Sequence, residues 1–475
     1  MTVRFVNNIN KLLLLTLLTN SFLNSVSQNI RSNYLTGNIN IDSKQLELLF
    51  VFTNENDKYS AGLYIPEQLQ YNLKSSSVSI DGDSLKIKYN SLRLEVFGKI
   101  DNDDFNGVFK QGTISSPVSW KFISEKDAEY INRPQTPVPP YPYIEKDIKI
   151  ITAKSKLEIA GTLTLPDEQG KYPLAILISG SGAQNRNEEI AGHKPFLVIA
   201  DYLTKNGIAV FRYDDRGVGG SNGNLANSTT KELSKDVAEI VDYFKKYPNI
   251  NKEKIGLIGH SEGGIISFMV AAEKPKDIAF IVSLAGFGLS AKEILIQQAH
   301  DINVASGMDE NLVKIFDSIQ SEVLEIAIKE KKIADMRKNL VQLYDKYGQY
   351  FSEEEKQTYK INDTGINLIM LQLSYPWMKY FITIKPEAYL KKIKCSVLAL
   401  NGAKDIQVSA DANLRAIRIA LEKGKCQHYE IRKIENANHL FQKADNGTVE
   451  EYLKIQQTID EDVLVYIKNF IKTKT

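Results

Sequence analysis

The stretch Lys254–Ile266, K-I-G-L-I-G-H-S-E-G-G-I-I, decides how the rest of the chain is read. Ile255–Ile258 is a short apolar run of the kind that forms a buried strand. It runs into Gly259-His260-Ser261-Glu262-Gly263, and Gly264–Ala272 then has the composition of a helix. A G-x-S-x-G between strand and helix is the sequence form of a nucleophile elbow, a turn so sharp that the serine hydroxyl is pushed clear of the sheet. Such a turn crowds the residues two before and two after the serine, and only glycine, which has no Cβ, tolerates that crowding. The helix start beneath the serine aims unpaired backbone N–H groups at any negative charge that forms there.

Working outward, Ile148–Ile151 and Leu157–Leu165 read as an opening hairpin. Leu174–Ser179, Ile208–Tyr213, Phe280–Leu284, Val397–Leu400 and Tyr429–Ile434 are short and mostly continuously apolar, like strands buried on both faces of a parallel sheet. Helical stretches lie between and after them: Phe196–Asn206, which starts after Pro195 and stops at Gly207, then Glu232–Tyr247 and Val449–Ile471. The alternation predicts a doubly wound, mostly parallel α/β sheet with its ligand site at the carboxyl ends of the strands. One segment, about 290–390, breaks the alternation. Leu312, Ile315, Phe316, Ile319, Val323 and Ile326 keep helical spacing, and the segment is expected to form a helical cap over Ser261. Its exit, Tyr375-Pro376-Trp377-Met378-Lys379-Tyr380-Phe381, either lines an acyl pocket or packs the cap on the core.

A serine at neutral pH needs a base, and the base needs a carboxylate to orient it. Of the five histidines, His260 is beside the serine and is expected to pack below the turn. His193 and His300 come too early, and His428 opens a strand. His439, in the polar loop after Tyr429–Ile434, falls at the carboxyl end of the sheet and is the expected base. Asp405, ending the Val397–Leu400 strand region, is the expected acid, with Asp411 and Glu435 as competitors. The oxyanion would be met by the N–H of Glu262 and by a donor from the loop after Leu174–Ser179, either Ser181 or Gly182. In the same loop Arg186, Glu188 and Glu189 read as solvated or as contacts to a polar substrate. Asp214-Asp215-Arg216-Gly217 reads as a turn with internal charge pairing. Gly180 and Gly182 begin a G-x-G-x-x-G that fails at Asn185, and Gly217-Val218-Gly219 fails at Asn222, so a nucleotide-binding reading lacks support.

The rest of the chain sets the context. Arg4 and Lys11, the apolar Leu12–Leu18 and the small-residue exit Ser25-Val26-Ser27 describe a secretory signal peptide over residues 1–27, and hence a periplasmic or secreted protein. Residues 30–125 alternate apolar and polar with period two, as in Leu85-Ile87-Tyr89 and Val118-Trp120-Phe122, which predicts a small antiparallel β domain, a sandwich or partial barrel. Residues 126–147 contain Pro134, Pro137, Pro139, Pro140 and Pro142 and read as an extended linker. The net charge of +1 among 475 residues gives no electrostatic footprint for nucleic acid, and no apolar run is long enough to span a membrane. Cys395 and Cys426, each opening a strand, either pair or stay as buried thiols.

The motifs carry a family resemblance over roughly residues 148–475. I-S-G-S-G-A-Q-N-R-N-E at 178–188, F-R-Y-D-D-R-G-V-G at 211–219, G-H-S-E-G-G at 259–264, L-N-G-A-K-D at 400–405 and N-A-N-H at 436–439 resemble the α/β-hydrolase superfamily. The resemblance is closest to the EstD-like bacterial esterases grouped with serine-aminopeptidase-type hydrolases. The order Ser261…Asp405…His439 is that of the superfamily. Asn185 and Asn187 depart from the family's aspartate-rich version of the first loop. The resemblance implies hydrolysis of a small-molecule carboxylic ester through an acyl-enzyme, with no cofactor and no metal. A peptidase or aminopeptidase of the same fold, and a degenerate hydrolase serving as a binding module, are the alternatives.

Overall fold

The computed structural model describes residues 32–474, apart from 42–43, 57, 66–67, 69, 129–130 and 155. The signal peptide expected at residues 1–27 lies outside the described residues. The period-two pattern that follows becomes nine strands: β1 (Tyr34–Ile41), β2 (Lys44–Glu55), β3 (Lys58–Ile65), β4 (Gln70–Lys74), β5 (Ser77–Asp81), β6 (Ser84–Tyr89), β7 (Leu94–Asp101), β8 (Asp104–Gln111) and β9 (Ile114–Ile123). They form one antiparallel sheet in the order β4-β3-β2-β1-β9-β8-β7-β6-β5. The sheet curls on itself, because the Ser75 and Ser76 N–H groups donate to Ala61 on β3 and Lys88 on β6. It is therefore a partial barrel. Its interior is filled: Trp120 lies on Phe50 and Phe105, with ring centroids 5.5 and 5.9 Å away. At Gly37 a Cβ would come within 1.8 Å of the Trp120 ring, so the indole occupies the space a side chain would take there.

The proline-rich linker is tied down. Arg133 Nη2 donates to the carbonyls of Ala191 and Leu453 at 2.8 and 2.9 Å, and Gln135 accepts from the Thr458 and Ile459 N–H groups at 2.7 and 3.0 Å. The curled sheet reaches the same surface through Tyr71, which packs with Ala191, Leu440, Tyr452 and Leu453. The next strand begins at Ile144, inside the expected linker.

The second sheet contains β10 (Ile144–Ile151), β11 (Glu158–Leu165), β12 (Tyr172–Ile178), β13 (Ala209–Tyr213), β14 (Ile250–His260), β15 (Phe280–Leu284), β16 (Ser396–Gly402) and β17 (Tyr429–Ile434). Their order is β10-β11-β13-β12-β14-β15-β16-β17. β10 with β11 and β11 with β13 are antiparallel, and every later pairing is parallel. The continuous apolar runs have a simple cause. Leu174, Ile176 and Ile178 enter the core on one face, while Ala175 and Leu177 enter the core on the other, so no position along the strand can be polar.

Between β15 and β16 the chain leaves the sheet through helices from Ala291–Ala305 to Glu387–Leu390. Phe316, Ile319 and Val323 pack there with Leu340, Leu343, Ile366 and Ile369 in a core of their own. The single helix expected over Val449–Ile471 is instead two, Glu451–Lys454 and Glu461–Lys474. Between them, the Gln457 carbonyl accepts from Gln442, and the Thr458 and Ile459 N–H groups are claimed by Gln135. Backbone groups turned sideways to other partners cannot continue a helical ladder. Cys395 and Cys426 are both free thiols, and burial, with Cys426 nearby, pushes Cys395 up to about 12.

Candidate active site

Ser261 directly follows β14 with φ 53° and ψ −117°, a conformation that costs a non-glycine residue about 1–3 kcal/mol. The surrounding glycines show why the turn holds. A Cβ at Gly259 would lie 2.0 Å from the Gly263 oxygen, and one at Gly263 would lie 2.1 Å from the Ile178 oxygen. The Ser261 N–H donates to Leu284 on β15 at 2.8 Å, which pins the turn to the neighbouring strand. The serine side chain does not cap the helix it starts, Glu262–Glu273.

Asp405 and His439 meet beside that turn. Oδ2 of Asp405 accepts from Nδ1 of His439 at 2.7 Å. Oδ1 accepts from the Gln407 and Val408 N–H groups, both at 2.8 Å. Both residues are buried, at 5 % and 4 % exposure, so water does not compete for their bond. The two competing acids are elsewhere: Asp411 pairs with Lys433 at 3.0 Å, and Glu435 is exposed. Asn438 sets the loop that presents His439, its Oδ1 accepting from the Leu440 and Gln442 N–H groups, both at 3.0 Å. The loop is joined to the elbow through His260. Its Nε2 is 2.9 Å from the His439 carbonyl oxygen, and the two imidazole rings are 4.8 Å apart.

The loop after β12 supplies the remaining candidates. The Gly180 N–H is already spent on Glu188 Oε1, at 2.7 Å. Gly182 has φ 107°, which a side chain would resist. Ser181 turns its hydroxyl to the Glu262 carboxylate at 2.6 Å.

Two features departed from the sequence reading. Glu188 is 1 % exposed rather than solvated, and its Oε1 also takes Nδ1 of His260 at 2.9 Å. Both His260 nitrogens thus face acceptors, a carboxylate and a carbonyl, and the ring can satisfy both only as imidazolium. Burial, the largest single influence, lowers its pKa, but the Glu188 charge and hydrogen bond, the His439 carbonyl and the Asp405 charge together outweigh it and the net shift is upward. The Asp214–Gly217 turn does not pair internally either. Asp214 binds Arg186 at 2.7 Å, and Arg216 binds Asp236 at 2.6 Å. Asp215 lies buried under Ser179 and the Gln184 N–H, pushed up to about 8 by burial.

His193 braces the floor of the same region, between Thr458 Oγ1 at 2.9 Å and the Tyr452 carbonyl at 2.7 Å. Burial, aided by the Arg133 charge, lowers its pKa from 6.5 to about 3. The unfolded chain then binds a proton below pH 6.5 that the folded chain refuses until about pH 3. Stability is full above that window and drains by about 1.4 kcal/mol per pH unit on the way down through it. His193→Gln keeps hydrogen-bonding capacity without the proton. It is expected to flatten the fall in Tm on acidification, and an unchanged acid slope in that variant would assign the loss to other groups.

With the geometry in hand, comparison with known proteins gives a consistent relationship. The sequence model of the family described as serine aminopeptidase, S33, matches residues 194–442, just over half the chain. Esterase EstD of Thermotoga maritima is 27% identical over 178 residues, 37% of this chain and 41% of that one. The mitochondrial palmitoyl-protein thioesterase ABHD10 of Bos taurus is 34% identical over 117 residues, 25% of this chain and 34% of that one. The chain thus spans less than half the length of either relative. Among solved structures, the Pyrococcus furiosus esterase Pf2001 aligns with a TM-score of 0.41 and 16% identity, over 72% of this chain and 97% of that one. The chain belongs to the serine aminopeptidase S33 family, with the α/β-hydrolase fold.

Proposed function

We propose that this protein is a serine carboxylic-ester hydrolase working through an acyl-enzyme. Ser261 attacks the acyl carbonyl while His439 takes its proton at Nε2. Asp405 fixes the tautomer by accepting from Nδ1 and stabilises the imidazolium that forms. The Glu262 N–H and the Ser181 N–H, with Gly182 as the neighbouring donor, receive the oxyanion. His439 returns its proton to the leaving alcohol, and water then repeats the sequence on the acyl-enzyme. The observation that carries this reading is the buried Asp405–His439 bond of 2.7 Å, on a loop tied by His260 to a strained serine. The esterase and thioesterase names of the two relatives support hydrolysis by acyl transfer.

An aminopeptidase is the second reading, and it has one observation of its own. Asp301, on the cap helix Ala291–Ala305, is half-buried, and burial raises its pKa with the Asp405 charge adding to the rise. A carboxylate on the cap, when ionised, would suit a substrate amine. The cap acids Glu322 and Glu325 do not serve it, since they pair with Lys346 and Lys292 at 2.7 Å each. A fluorophosphonate probe followed by peptide mapping, with p-nitrophenyl acyl esters set against aminoacyl p-nitroanilides, decides among the readings. Labelling at Ser261 with faster ester turnover is expected. Faster anilide turnover would select the aminopeptidase, and absence of labelling would leave a binding module.

A further inference from the structure

The reaction above uses the backbone N–H of Glu262 and leaves its side chain without a task. That side chain is 2 % exposed. Its Oε2 accepts from the Ser181 hydroxyl at 2.6 Å, and its Oε1 from the Thr230 hydroxyl at 2.6 Å. Trp377 Nε1 points between the two oxygens, at 2.9 and 3.0 Å. The three donors come from three separate parts of the chain. Ser181 is on the oxyanion loop, Thr230 begins the helix Thr230–Phe244, and Trp377 is on the short cap helix Pro376–Phe381. The indole is also held from behind, stacked on Phe381 with centroids 4.6 Å apart, and Phe381 meets Phe287 at 5.6 Å.

A surface interaction would not matter much, but this carboxyl is buried, and each of its bonds replaces water that cannot return. Losing one donor therefore leaves a desolvated oxygen wanting a partner. The cheapest relief is a shift of the remaining donors, and one of these sits beside the expected oxyanion donor. Resting on the acyl-transfer reading, we propose that the Glu262 side chain is a positioning residue. It clamps Trp377 of the cap and Ser181 of the oxyanion loop to the nucleophile elbow, so that the seat of the cap and the geometry of the oxyanion hole are set together. An acyl group that displaces the indole then loosens the loop that must stabilise its own transition state. Cap fit is converted into turnover rather than into binding.

The test is a set of conservative variants assayed on p-nitrophenyl butyrate. Glu262→Gln is expected to lower kcat by about 10- to 100-fold with KM within about threefold, the pattern for an interaction realised in the transition state. Trp377→Phe and Ser181→Ala, which keeps the backbone N–H, are each expected to lower kcat by several-fold. Ser181 and Trp377 are joined through the carboxyl, so their double variant should lose less than the product of the single losses. The protein has two tryptophans, and Trp120 is buried in the first sheet, so a red shift in emission of Glu262→Gln reports the released indole.

Multiplicative losses in the double variant, or a normal kcat in Glu262→Gln, would overturn the proposal. Should Glu262→Gln fail to fold, the Ser181/Trp377 cycle decides alone. Stoichiometric fluorophosphonate labelling of Ser261 in every variant separates this question from the triad. Loss of labelling in the unsubstituted protein would remove the acyl-transfer reading itself.

Discussion

Ser261→Ala is expected to lower kcat/KM for p-nitrophenyl acetate by at least about 10⁴-fold, with Tm unchanged to within about two degrees. The two halves of that expectation have different sources. In the proposed mechanism, activity falls because the group that forms the covalent bond is gone, and neither His439 nor the proposed oxyanion donors can replace it. Stability holds because alanine keeps the Cβ, so the strain at φ 53° is the same before and after. The Ser261 N–H to Leu284 is a backbone bond and survives the change. Steady-state rates and a melting curve on the same preparation suffice. A Ser261→Ala protein with undiminished turnover would remove the serine from the mechanism.

Asp405→Asn is the second large effect, expected at about 10³- to 10⁴-fold in kcat with little change in KM. The substitution is isosteric, and the way the side chain is already held fixes its orientation. Oδ1 accepts two backbone N–H groups, from Gln407 and Val408, so the carbonyl oxygen of asparagine will stay there. Its NH₂ must then face Nδ1 of His439. That imidazole can accept only if its proton moves to Nε2, the nitrogen that must take the serine's proton. The base is present but in the wrong tautomer. Asp411→Asn, altering an acid paired with a surface lysine, serves as the control. A loss below about tenfold in Asp405→Asn would mean that another group orients the histidine.

What the sequence could disclose depended on how local each constraint was. The elbow was legible because its signature is local: Gly259 faces backbone atoms four and five residues on, at Gly263 and Gly264, and Gly263 faces the end of the adjoining strand β12. Asp405 and His439 were legible from strand order, since each follows a short apolar run and parallel strands deliver their ends to one rim. Glu188 was not. It sits beside Glu189 in a polar run, and nothing nearby tells which of the two turns inward to a histidine 72 positions later. The Glu262 carboxylate was hidden for the same reason, because Trp377 lies 115 residues downstream. The aromatic exit of the cap was recognised as either pocket wall or packing surface, and the indole N–H turned out to be bonded to the elbow. The broken C-terminal helix failed on a distant partner too, the linker residue Gln135.

The contact between Tyr71 and Gly192 sets a limit on how this protein can be shortened. A Cβ at Gly192 would lie 2.1 Å from the Tyr71 ring, so the first sheet rests directly on the segment that follows Glu188. The same ring packs against the cluster that contains Leu440, the residue after His439. The proline-rich joint looks like the natural place to cut, yet a fragment starting there would carry the second sheet with an open flank near the His439 loop. Tyr71 would leave with the discarded piece, and Arg133 would hold on only if the cut fell ahead of it. For this chain the seam visible in composition is not the seam at which the halves are independent.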